Sequence, residues 1–181
     1  MSTIEKVKIK CRAGETFRVG GMEFIKFPGV NGETPVVMKG IAFKSRFGNN
    51  NDFRESDVLK TLEAEYLPKL IEAIGEENIC TIKTDLTTLD GLKTYGVMES
   101  LVSLPTLDFY REHVDIFDKY NPGTWWWLAS PESAPPHDEP YWTLCVSPSG
   151  FIYRGDLYIF GVGGVRPFYI LKSSIFESFE E

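Results

Sequence analysis

Histidine and cysteine are scarce in this chain. Its 181 residues include two histidines and three cysteines, the latter at positions 11, 80 and 145. No CxxC pair and no Cys/His cluster is present, which excludes the usual structural zinc sites. Three isolated thiols suit small buried hydrophobes in a reducing compartment. Long apolar runs are also missing, and none approaches the roughly 18–20 residues that span a bilayer. The opening MSTIEKVKIKC alternates lysine with apolar residues and lacks the apolar stretch of a signal peptide. The expectation is a cytoplasmic chain with no membrane contact. Positive charge is short as well, with a net charge of −7. General or sequence-specific nucleic-acid binding, which needs a basic face, is not expected.

Catalytic motifs are lacking too. Ser130, in LASPE, is not in a GxSxG elbow. Cys145 and His137 lie eight residues apart. They could form a nucleophile–base pair only if the fold brought them together. GVGGVRP carries glycines but runs into proline instead of opening a helix, so it fails as a phosphate cradle. Asp138 and Glu139 could hold a cation, but paired acids in a proline loop are more often solvated. The reading is a protein without enzymatic activity, cofactor or metal.

What remains is uneven in charge and rich in aromatic residues. Residues 1–50 hold nine Lys/Arg and four Glu, so the rest of the chain carries a net −12. That asymmetry suits a basic partner, or a homodimer joining unlike faces. All four tryptophans fall in TWWWLASPESAPPHDEPYW, residues 124–142.

Period-two patterning predicts a strand at 6–12 with its lysines on one face. Gly20-Gly21 predicts a hairpin, and Asn31-Gly32 a further turn. Strands are expected at 36–38 and 41–43. GNNNDFRES reads as a surface loop that ends in helix caps, with Asp52 or Ser56 as candidates. Val58, Leu59, Leu62, Tyr66, Leu67, Leu70, Ile71 and Ile74 form one apolar helical stripe. Pro68 should kink or split this helix, and Gly75 should end it. Its polar face is acidic.

A second helix carries Leu107, Tyr110, Val114 and Phe117, with Pro105 in its first turn and His113 in a structural or solvated role. The last third reads as short strands joined by glycine turns at 149–150, 155–156 and 161–164. The class is α+β, in one domain over 1–181: an N-terminal hairpin and helices to residue 120, then an aromatic, glycine-rich strand region over 121–175. Arg166, just ahead of an apolar strand, is expected to be partly buried, either stacked on a ring or paired with a carboxylate.

WWWLASP, then VSPSG, then GVRPFYIL resembles the signature of a family of uncharacterised small domains, the domain-of-unknown-function family 6273 of Firmicutes and their phages. AGETFRVGGMEFIKF is similar to that family's opening hairpin, SDVLKTLEAEYLPKL to its first helix, and SLPTLDFY to the lead into its second. The likeness spans about residues 12–172. It implies a C-type-lectin-like fold of the formylglycine-generating-enzyme branch, with two principal helices packed on short antiparallel sheets. Trp127, Leu128, Pro131, Gly150, Gly164, Val165, Arg166 and Pro167 would be its framework.

The likeness implies no activity. The cysteine pair of formylglycine-generating enzymes and the EPN, QPD and WND motifs of lectins are absent. Relatives of this fold serve phages as recognition scaffolds. The expected function is therefore a phage- or prophage-encoded binding module acting in the cytoplasm of a bacterial host. It would recognise a host protein, for instance by inhibiting a defence nuclease as an anti-CRISPR protein does. A carbohydrate-binding virion or surface module is the alternative. The expected contact residues are Trp125, Trp126, His137, Asp138, Glu139, Tyr141, Trp142, Tyr153, Tyr158 and Phe160, with Trp127 and Arg166 structural.

Overall fold

The computed structural model describes residues 8–157 and 161–179. The fold is mixed α+β and mostly sheet. The first sheet contains β1 (Thr16–Val19), β2 (Met22–Lys26), β3 (Glu33–Met38), β5 (Ile79–Cys80) and β12 (Phe168–Lys172). Its order is β1-β2-β3-β12-β5, antiparallel throughout. Gly20 and Gly21 turn the first hairpin with φ of 57° and 74°, the positive values that a two-residue hairpin turn demands. Asn31 and Gly32, at 52° and 77°, make the next turn the same way.

The second sheet contains β4 (Phe43–Ser45), β8 (Trp126–Pro131), β9 (Trp142–Val146), β10 (Ile152–Asp156) and β11 (Gly163–Val165). Its order is β10-β9-β8-β11-β4. β8 and β11 run parallel, so this sheet is mixed and not antiparallel throughout as expected. A parallel pair needs a crossover, and the β9–β10 hairpin lies between these two strands in the chain. β6 (Ile82–Asp85) and β7 (Val97–Ser100) form a separate ribbon. The segment NICTIKT is thus split at Thr81 between two sheets.

The chain changes sheets twice at one corner. β3 passes into β4 through residues 39–42, and β11 passes into β12 through Arg166-Pro167. Met38 N donates to the Pro167 carbonyl at 3.0 Å and Ala42 N to the Val165 carbonyl at 2.9 Å, which ties the two crossings together.

The first helix runs through α1 (Asp57–Thr61), a π-turn over Leu62–Tyr66 and α2 (Leu67–Ile74). Both candidate caps are used. Asp52 accepts from Arg54 N in a 3₁₀ turn, and Ser56 accepts from Leu59 N. Pro68 does not break the helix. The widened turn just before it, in which Leu67 N reaches back to the Leu62 carbonyl, makes room for the ring. Gly75, at φ 83°, ends the helix as expected. The second helix is broken at His113 (φ −126°) into α3 (Leu107–Glu112) and α4 (Val114–Lys119). Thr106 caps it, so Pro105 lies before the cap and not in the first turn. The break turns Val114, expected in the core, out to 42% exposure. His113 packs on Phe109 and Phe27, with ring centroids 4.6 and 5.3 Å away.

Of the strand expected at 6–12, Ile9 makes a single parallel bridge to Phe176. Lys6 and Val7 lie outside the described residues.

The second sheet divides two apolar cores. Trp127, Ala129 and Cys145 face the larger, with Phe47 and Phe53. Trp126, Leu128, Leu144 and Val146 face the smaller, with Tyr110 and Phe117. Among the described residues no helix is long and apolar enough to cross a membrane.

Candidate functional site

Alternation along β8 decides which tryptophans reach the surface. Trp126 points into the smaller core at 1% exposure, tilted on Phe117 and edge-on to Tyr110. The contact role expected of Trp126 does not fit that placement, because its ring is covered on both faces. Trp127 is also buried, as expected of a framework residue. Its indole N–H donates to the Ser45 carbonyl at 2.9 Å. A Cβ at Gly163 would sit 2.6 Å from this ring, and one at Gly155 would sit 2.7 Å from it. Gly155 and Gly163 are therefore strand residues beneath an indole, and Gly164 lies in the same strand as Gly163 against Ile41 and the Trp125 carbonyl, so none of them makes the turn expected of it. The Ser149-Gly150 turn forms as expected, with Gly150 at φ 94°.

Trp125, half-buried at the start of β8, meets two rings of the β9–β10 hairpin. Its centroid lies 6.3 Å from Phe151 and 5.4 Å from Tyr153, and those two are 6.2 Å apart. All three contacts are edge-on. Phe151 is 54% and Tyr153 48% exposed, so two large rings face solvent above a rigid layer. Phe151 was absent from the expected set. The signal was there, since Phe151 and Tyr153 share a face at period two after the SPSG turn.

The other expected contacts lie on the loop from Glu132 to Tyr141, which has anchors the sequence did not reveal. Asn51 is fully buried, although GNNND had the look of a surface loop. Its side-chain amide donates to the Ser133 and Trp142 carbonyls at 2.8 Å each, and its backbone N–H donates to the Pro140 carbonyl. The Tyr95 hydroxyl donates to Asn51 Oδ1 at 2.6 Å. Asp90 holds the loop from outside. It accepts from the Ser133 hydroxyl at 2.7 Å and from the Thr88 hydroxyl at 2.5 Å, and lies 3.0 Å from His137 Nδ1. These bonds, Thr88 first and then His137 and Ser133, pull the Asp90 carboxyl down to about 2.

Ser133, His137 and Asp90 are not a hydrolytic triad. The serine hydroxyl donates its hydrogen bond directly to the carboxylate, and the histidine bonds the same carboxylate and not the serine. Asp138 and Glu139 are exposed, and Asp138 accepts from its neighbour's N–H. Trp142 lies under the Arg154 guanidinium, 4.4 Å from the ring centroid, and Arg154 pairs with Glu132 at 3.1 Å. Tyr141 is half-buried beside it. Tyr158 and Phe160 lie outside the described residues.

Cys145 and His137 do not meet. Cys145 Sγ donates to the Tyr153 carbonyl, and burial pushes its thiol up to about 12. Among the described residues no group of His, Cys, Asp and Glu could hold a metal. A hollow of about 500 Å³ beside α3 has mixed charge, with Arg111 paired to Asp108 at 2.6 Å. Ser130, which also lines it, accepts from Leu107 N at 2.9 Å.

Arg166 is fully buried at the sheet-switching corner, deeper than expected. Of the two roles expected for it, stacking is the one observed: its guanidinium lies 4.8 Å from the Trp126 ring centroid. It donates to the carbonyls of Met38 (3.1 Å), Lys39 (2.7 Å) and Tyr120 (3.4 Å).

Together these features define a mixed α+β domain that presents rigidly backed aromatic rings and a clamped proline loop. No family model, no curated protein and no solved structure matches the chain.

Proposed function

We propose that this chain is a non-enzymatic binding module that recognises a protein through the Trp125–Phe151–Tyr153 surface. The observation that carries this reading is the pair of half-exposed rings on a hairpin backed by the buried Trp127. Large rings held in place give contact area at small entropic cost, and such residues dominate binding energy at interfaces. The edge-on angles of 60°, 80° and 84° leave no two faces coplanar. That favours a protein surface over the flat ring platform on which a sugar would stack.

The reading extends to fold and partner. We place the domain in the C-type-lectin-like class, supported by four motifs in order and by the buried roles of Trp127, Leu128 and Arg166. The first helix presents Glu63, Glu65 and Glu72 to solvent and the 3₁₀ turn after it Glu76 and Glu77, none of them in an ion pair among the described residues. An acidic face of this kind suits a basic partner. A nucleic-acid-handling defence nuclease of a bacterial host, met in the cytoplasm by a phage-encoded inhibitor, has that chemistry. The test is capture from a lysate of the source organism with the native chain and with Phe151→Ala/Tyr153→Ala. A basic protein retained by the first and lost by the second is expected. Equal retention by both would refute the surface, and retention of a glycoconjugate instead would replace the protein reading with the lectin one.

A further inference from the structure

An open groove of about 710 Å³ lies over the sheet-switching corner, on a part of the surface the binding reading does not use. Its walls are Lys39, Gly40 and Ile41 from one crossing and Lys119, Tyr120 and Asn121 from the end of α4. Two ammonium groups share it. Lys39 Nζ and Lys119 Nζ lie 5.9 and 5.2 Å from the centroid of the same Tyr120 ring.

Behind the walls sits Arg166. Its guanidinium donates to the carbonyls of Lys39 and Tyr120, so it lies directly beneath both sides of the groove. No carboxylate pairs with it among the described residues, and its Nη1 is buried without a hydrogen-bond partner. Burial without a counter-charge lowers its pKa to about 10.

Among the described residues the one acid that lines the groove, Glu23, is divided between Lys39 at 3.5 Å and Arg18 at 3.2 Å. Lys119 has no carboxylate partner among the described residues and donates to the Gly14 carbonyl at 3.3 Å. Asp118, its neighbour, lies against the Gly150 turn. A chain of net charge −7 thus carries a concave, cationic enclave whose floor is an uncompensated buried charge. An excess of positive charge beside low-dielectric walls focuses potential onto whatever enters. The hollow is also of the size that small-molecule sites have.

We infer that this groove binds a small oxyanion-bearing ligand, with Lys39 and Lys119 contacting the anion and Arg166 supplying fixed positive potential from below. A phosphate ester and a polycarboxylate share this chemistry.

Isothermal titration with pyrophosphate, adenosine monophosphate and citrate, at low salt and at about 0.15 M salt, reads the site and separates the two sources. At least one probe is expected to bind the native chain with a dissociation constant below about 1 mM, more weakly at the higher salt. Lys39→Ala/Lys119→Ala is expected to weaken it at least tenfold. Gly40→Glu should abolish it, because a Cβ at Gly40 meets open space and the new carboxylate can enter the groove without strain. An unchanged circular dichroism spectrum controls for folding in both variants. Phe151→Ala should leave the titration unaltered, which separates this site from the protein-binding surface. Binding of pyrophosphate and the nucleotide without citrate identifies a phosphate ester, and binding of citrate alone identifies a polycarboxylate. No heat with any probe, or binding that survives both groove variants, would overturn the inference.

Discussion

The indole of Trp127 occupies the space that a side chain at Gly163 would need, with a would-be Cβ only 2.6 Å from the ring. Gly155, in β10 on the opposite flank of β8, makes the same concession at 2.7 Å. Three strands thus close around one ring, and the hairpin that carries Phe151 and Tyr153 takes its position from that contact.

Gly163→Ala and Gly155→Ala should each destabilise the fold by about 1–3 kcal/mol, the usual cost of overpacking. Gly40→Ala, which meets open space, should cost much less. Adding Trp127→Phe to Gly163→Ala should recover part of the loss, making the pair non-additive. Denaturant titration of these four variants and of Trp127→Phe alone measures this. Equal midpoints for Gly163→Ala and Gly40→Ala would contradict the wedge.

The tryptophans show how far the sequence could be read. Alternation correctly sends Trp126 to one side of the sheet and Trp125 and Trp127 to the other. It does not say that both sides are covered, because that depends on α3, α4 and the first sheet arriving from distant parts of the chain. The glycines misled for a related reason. Glycine serves turns and close ring packing alike, and only the fold shows that Trp127 lies over positions 155 and 163. Local features such as the Gly20-Gly21 hairpin, the Ser56 cap and the Gly75 stop were legible because their chemistry is contained in a few residues. Asn51, Tyr95 and Asp90, which hold the proline loop, were not, since the bonds that join them to one another or to the loop cross 43 or more positions.

Asp90 should give the loop an acid limit. Its carboxyl lies below the ordinary value of 3.8, at about 2, so its contribution is fully present above pH 4 and is lost as pH falls towards 2. Asp90→Asn should lower stability at pH 6 and make little difference near pH 2. The effect should be modest, because the side chain is 39% exposed and solvent screens it. Thermal melts of both proteins from pH 2 to 7 test it, and a difference independent of pH would contradict it.

Arg166→Lys should not substitute for the native residue. A lysine cannot span carbonyls of Met38, Lys39 and Tyr120 with one ammonium, and a buried acceptor left unpaired costs about 1–3 kcal/mol. A loss of about 2 kcal/mol or more is expected from urea denaturation. A near-neutral result would show that the three bonds are dispensable.

Thiol labelling should proceed in a fixed order. Cys145, its thiol pushed up to about 12 by burial and bonded to the Tyr153 carbonyl, should resist a maleimide in the native state at pH 8. Half-buried Cys80 should react before it. Mass spectrometry of digests after timed labelling reads the order, and fast modification of Cys145 would contradict its placement.

The most direct test of the binding surface is photocrosslinking in a lysate of the source organism, with a photoreactive phenylalanine at position 151. The control carries the same group at Val30, a still more open position (67% exposed) on the β2–β3 turn. A discrete protein adduct at 151 that is absent at 30 is the predicted result. No adduct at 151, or the same adducts at both positions, would contradict the account.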